Sequence, residues 1–311
     1  MRHAQIAPRF ATVTLGLLVA TAACAARASG TARTSPGEQS GAAALPPSAI
    51  VRGIDHLFVT SATPEPLYRF FRDTLGLPEV YPFRSYDGFA SGVVSMGNVL
   101  FEVVIWKVPA GDTLRTEFKG IALEPAERLP VTLARLRDRG LALQAPDSVM
   151  YTTAEGARAL GYVNVPLDGP GGLPPASASI FINDNLGSPR AAARRRDGAE
   201  ELARRGGGPL GVRGVQELIL GVEHRAAALA HWRRLLESPA QQSGAVLTFP
   251  AGPAMRFVEA PTGAILEMVL RVRSVKEAER VLSSKGMLRR EDGHVMLALP
   301  AAGGLRIRLV Q

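Results

Sequence analysis

A single cysteine, Cys24, in 311 residues excludes any disulfide within the chain. Aromatic residues are scarce at 6%, and none is interleaved with the arginine clusters, which argues against a stacking surface for nucleic acid. No apolar run is long enough to cross a bilayer as a helix. Neither a Gly-rich phosphate loop nor a Ser/His/Asp motif occurs, so phosphate-cradling and triad chemistry lack their usual signals. What is present is globular in balance, with 46% hydrophobic and 21% charged residues, and the length suits two domains. The net charge of +8 comes from arginine, concentrated at Arg2 and Arg9 and in the run Arg194, Arg195, Arg196, Arg204 and Arg205.

The N-terminus reads as an export signal. Arg2 and Arg9 form a basic region, and Ala11 to Ala23 form an apolar stretch of signal length that ends in Thr21-Ala22-Ala23 before Cys24. The segment resembles a bacterial lipoprotein signal, which implies lipidation at Cys24, a membrane contact through that lipid, and a periplasmic or outer-membrane location. Simple secretion, with cleavage near Ala23 or Ala26, is the alternative. Residues 1–24 are therefore assigned to the signal. Residues 25–49, rich in Ala, Ser, Gly, Thr and Pro, form a flexible tether.

Structure is expected from Ile50. Ile54 to Val59 is β-rich, and Thr63-Pro64 starts a helix whose apolar face carries Leu67, Phe70, Phe71 and Leu75, with Gly76 as its stop. Strands at Glu79 to Phe83, Phe89 to Met96 and Val99 to Val108 follow, the last two joined by a turn at Gly97-Asn98. This βαβββ order recurs. Gly214-Val215-Gln216-Glu217-Leu218-Ile219 lines up with Gly53-Ile54-Asp55-His56-Leu57-Phe58, and Ile265 to Val269 lines up with Leu100 to Val104. Fainter copies begin at Phe118 and Leu270. The expected domains are 50–186 and 212–311, of two modules each, with 187–211 as a linker.

These residues resemble the vicinal oxygen chelate superfamily, the glyoxalase and bleomycin-resistance proteins. The opening Ile54 to Val59, the helix end Phe70 to Leu77 and the strand Val99 to Val103 carry the likeness. It implies an α+β fold of tandem βαβββ modules pairing into open, cupped β-barrels. It also implies a divalent metal (Zn, Ni, Mn or Fe) held by the first and last strands of a module. Carried onto this chain, those positions are His56 and Glu102 in module one and Glu217 and Glu267 in module three, with Glu102 and Glu267 as the acid–base candidates. Module two offers Gly120 and Ile182, which hold no metal, with Glu124, Asn183 and Asp184 nearby. Only a pairing of module one with module three would gather all four candidates, and the sequence leaves that pairing open. Asp55 follows as a neighbour that regular strand alternation turns away from His56. His224, His231 and His294 read as surface residues. Three functions remain: a metal-dependent lyase or isomerase, a non-catalytic protein that sequesters a small oxygen-bearing molecule, and an envelope scaffold.

Overall fold

The computed structural model describes residues 15–16, 50–85, 89–106, 115–152, 156–167, 179–185, 189–236, 244–249, 252–299 and 304–311. Cys24 and most of the signal and tether lie outside these residues. Two sheets make up the body, and each is built from two modules.

In the first, β2 (Val51–Thr60) leads into α1 (Pro64–Arg69), which runs on as a π-turn over Phe70–Thr74. β3 (Glu79–Ser85), β4 (Phe89–Ser95) and β5 (Leu100–Trp106) complete module one. Module two repeats the order with β6 (Glu117–Pro125), α2 (Leu129–Asp138), β7 (Asp147–Thr152), β8 (Arg158–Pro166) and β9 (Ser179–Asp184). The strand order β7-β8-β9-β6-β2-β5-β4-β3 places the two first strands side by side at the centre, antiparallel. A two-residue strand, β1 (Leu15–Gly16), adds to β7 at the sheet edge.

The second sheet begins at β10 (Val212–Val222), followed by α4 (Arg225–Leu236), β11 (Val246–Leu247) and β12 (Ala254–Glu259). Module four is β13 (Ala264–Val272), α5 (Val275–Ser284), β14 (Leu288–Glu291), β15 (His294–Leu297) and β16 (Ile307–Val310). Here the order is β11-β12-β10-β13-β16-β15-β14. Modules therefore pair one with two and three with four. One expectation is corrected by this topology. β13, which carries Glu267, is the first strand of module four and not the last strand of module three, because β12 is the strand that returns parallel to β10.

The core lies between each sheet and its helices. Phe71 packs on Phe101 with ring centroids 4.6 Å apart, and Trp232 on Phe257 at 6.0 Å. Gly92 is required where the Tyr68 ring crosses β4, since a Cβ there would lie 2.8 Å from that ring. The two sheets are joined by side chain and backbone: the Asn98 amide donates to Val215 O and accepts from Val215 N, both at 2.8 Å.

The stretch read as a linker, whose core Arg194 to Leu202 suggests a short solvated helix, is a longer helix, α3 (Pro189–Arg204), and it is packed rather than solvated. In β4, Gly92 and Val94 face α1, so Ser91, Val93 and Ser95 face the opposite, concave side. α3 packs on that side, with Gly198 against Ser95 and Val80 so closely that a Cβ would come within 2.9 Å of the Ser95 side chain. Leu202 is buried, and Arg194 stacks over the Tyr81 ring at 4.6 Å. The arginine run is thus partly spent on holding a helix in the mouth of the first cup.

Candidate functional site

Each central strand pair has a local two-fold, through Leu57 opposite Ile121 in the first sheet and Leu218 opposite Met268 in the second. These axes relate four equivalent first-strand positions: His56, Gly120, Glu217 and Glu267. A β-bulge falls immediately before each of them, at Asp55, Lys119, Gln216 and Leu266. A bulge inserts one residue and re-aims the next side chain, so the fold presents the same position to the cup four times.

The last-strand positions follow from the parallel pairings. Glu102 stands opposite Phe58, Phe181 opposite Ala122, Arg256 opposite Ile219, and Arg308 opposite Val269. The equivalent pairs are thus His56 with Glu102, Gly120 with Phe181, Glu217 with Arg256, and Glu267 with Arg308. His56 and Glu217 match as the sequence alignment expected. Glu102 has arginines as its counterparts in the second sheet: Arg256, which the sequence offers as an ion-pair partner for Glu217 or Glu267 though not as a last-strand position, and Arg308, which sequence reasoning missed. The alternation Ala-Met-Arg-Phe-Val-Glu in β12, with Met255 and Phe257 fully buried and Arg256 exposed, was the signal that could have put Arg256 at that position.

In the first cup His56 lies between two carboxylates. Its Nδ1 donates to Asp55 Oδ2 at 2.7 Å, and its Nε2 faces Glu102 Oε2 at 3.5 Å. Asp55 does not turn outward, because the bulge brings it to the same side as His56. It is buried, and Arg195 of α3 ion-pairs with it and also donates to Glu124 Oε2 at 2.6 Å. Burial alone would push the Asp55 carboxyl up. The hydrogen bond and charge of His56, with the charge of Arg195, outweigh burial and hold it below its ordinary value. Burial would likewise push His56 down, but the Asp55 hydrogen bond and the Asp55 and Glu102 charges raise the imidazole against the opposing Arg195. Phe58 and Trp106, edge to face at 6.0 Å, form an aromatic wall beside His56.

The second cup is closed electrostatically. Arg256 Nε donates to Glu217 Oε2 at 2.9 Å, and Arg308 Nε donates to Glu267 Oε1 at 2.6 Å. Arg306 adds a 3.4 Å contact to Glu267 and an ion pair with Glu291. His56 and Glu102 are therefore brought together, while Glu217 and Glu267 sit in the other sheet and are held by arginines. Among the described residues no group of three or more His, Cys, Asp or Glu side chains converges as a metal centre.

No family model matches the sequence, and no curated protein does. Solved structures do. The manganese-bound glyoxalase of Novosphingobium aromaticivorans aligns at TM-score 0.51 and 14% identity, over 84% of this chain and 82% of that one. A variant of 4-hydroxymandelate synthase from Streptomyces coelicolor gives 0.52 and 15%, over 84% and 92%. A 2,3-dioxygenase from Pseudomonas sp. KL28 gives 0.50 and 13%, over 85% and 93%. The fold is the glyoxalase-like α+β arrangement of paired βαβββ modules. Identities this low establish architecture alone. A catalytic zinc ion ordinarily takes three protein ligands and keeps one position open. The first cup supplies His56 and Glu102, with Gly120 and Phe181 at the other two positions, and the second supplies carboxylates already paired to guanidinium groups. Among the described residues, those at these positions do not give a resident divalent ion three free ligands in either cup.

Proposed function

We propose that the protein is an exported, lipid-anchored receptor for a small oxygen-bearing molecule, which it binds in the first cup without a metal of its own. The observation that carries this reading is the asymmetry of that cup. One module presents His56 and Glu102 beside the Phe58–Trp106 wall, and the other presents Gly120, which has no side chain, at the position equivalent to His56. A ring or short carbon skeleton against the aromatic wall, with a hydroxyl or carbonyl directed at His56 Nε2 and Glu102, suits those groups. Anchoring through Cys24, with residues 25–49 as the spacer, would place the receptor at a membrane surface.

The test is a small-molecule screen by thermal shift and calorimetry on the full chain, beside His56→Ala and Glu102→Gln, with metal analysis of each protein. Saturable binding that weakens about tenfold in either variant, with no metal required, is the expected result. Binding unaffected by both substitutions would overturn the reading. A proton-transfer enzyme is the second reading, favoured by the Asp55–His56 pair, in which a buried carboxylate fixes the ring so that Nε2 faces the cup. Turnover of a bound ligand, abolished in His56→Ala, would move the assignment there.

A further inference from the structure

The second cup keeps the geometry of the first but reverses the sign at its last-strand positions. Arg256 and Arg308 occupy, in register, the place of Glu102. Each is held by a glutamate buried at the equivalent first-strand position, Glu217 at 7% and Glu267 at 9% exposure, while the arginine side chains stay open at 47% and 22%. A guanidinium carries five N–H donors in a planar fork. Arg256 directs Nε and Nη2 at Glu217, and Arg308 directs Nε at Glu267, so each retains donors aimed away from its own glutamate. The residues between them on the concave face, Ile219 and Val269, have no side-chain acceptor to offer. Strand pairing puts Arg289 on the same face through Met296, and Arg306 reaches that face in its ion pairs with Glu267 and Glu291. With them, four arginines stand against Glu217, Glu267 and Glu291, which leaves one positive charge.

We propose that this cup is a site for a small oxyanion, a carboxylate or phosphate group gripped by the Arg256 and Arg308 forks. Buttressing by the buried glutamates fixes the guanidinium planes in advance, so little side-chain entropy is lost when the anion binds. The site is distinct from the first cup, and its ligand need not be the same molecule.

Calorimetric titration of the full chain with succinate, and separately with inorganic phosphate, tests the proposal at low ionic strength. Saturable binding of either probe is expected. It should weaken about tenfold or more in the neutral pair Glu217→Gln/Arg256→Gln, and likewise in Glu267→Gln/Arg308→Gln, but persist in His56→Ala. Succinate binding tighter than phosphate assigns a carboxylate ligand, and the reverse order assigns a phosphate. Arg256→Lys keeps the charge at an exposed position and removes only the planar fork. It should lose affinity severalfold, which keeps the test decisive if the paired variants unfold. No saturable heat from either probe up to about 10 mM, or affinity unchanged in the arginine variants, overturns the proposal.

Discussion

The two cups share a backbone plan and differ in what closes it. Both have a central antiparallel strand pair with three register shifts, and both place one first-strand and one last-strand position per module on the concave face. In the first cup these positions hold an imidazole and a carboxylate on one side and almost nothing polar on the other. In the second they hold two glutamate–arginine pairs related by the local two-fold. The lesson is that the fold decides which four positions share a concave face, and two residues per module decide what that face can do.

The sharpest break in the comparison should come from outside the repeats. Arg195→Ala leaves the Asp55 carboxylate buried beside a partly buried imidazole, and should cost about 3 kcal/mol in urea unfolding. Arg256→Ala in the second cup also strips a buried glutamate of its guanidinium, but loss of that half-exposed side chain opens Glu217 to water, so the cost should be lower, about 2 kcal/mol. Equal losses would mean that the cups are held in the same way. Converting the first cup to the second, with His56→Glu and Glu102→Arg together, should weaken the first-cup ligand about 100-fold, near 2.7 kcal/mol, while circular dichroism stays unchanged. Gly198→Val, which forces a side chain into Ser95 and Val80, should cost about 2 kcal/mol and raise hydrogen exchange along α3 but not in the second sheet. The smallest effect is that of pH. His56 is raised in the fold, so its contribution is complete below about pH 6.5 and fades as pH rises through the folded value. Asp55 is lowered, so its contribution is present above its ordinary value and fades as pH falls through the folded one. Stability should therefore decline on the alkaline side in urea titrations across pH, and His56→Ala should flatten that slope.

Much of this architecture was legible because strand periodicity and turn residues are local. The repeat Gly53 to Phe58 against Gly214 to Ile219 gave the right register to the residue, and the Gly97-Asn98 turn closes β4 on β5 through the Met96 to Val99 hydrogen bond. Strand ownership was not legible. β13 is an apolar run that ends one module as plausibly as it begins another, and only the parallel partner of β10 decides between them. β7, polar and irregular, was missed for want of a hydrophobic pattern. The orientation of Asp55 was hidden as well, since a bulge is a property of two strands and not of one. Arg195 sits in a run that reads as solvated, and the marks of its packing, Gly198 and Leu202, are spaced too sparsely to stand out.

α3 also sets what counts as a separable part of this molecule. By sequence similarity the first two modules end with β9, and a cut near residue 185 would seem to free a complete unit. That unit would lack Arg195, the cation shared by the Asp55 and Glu124 carboxylates, and the concave face on which Gly198 rests would be bare. The smallest autonomous piece is therefore not the repeat pair but the pair together with the helix that leads to the next one. Grafting the first cup onto another scaffold would have to carry that helix along.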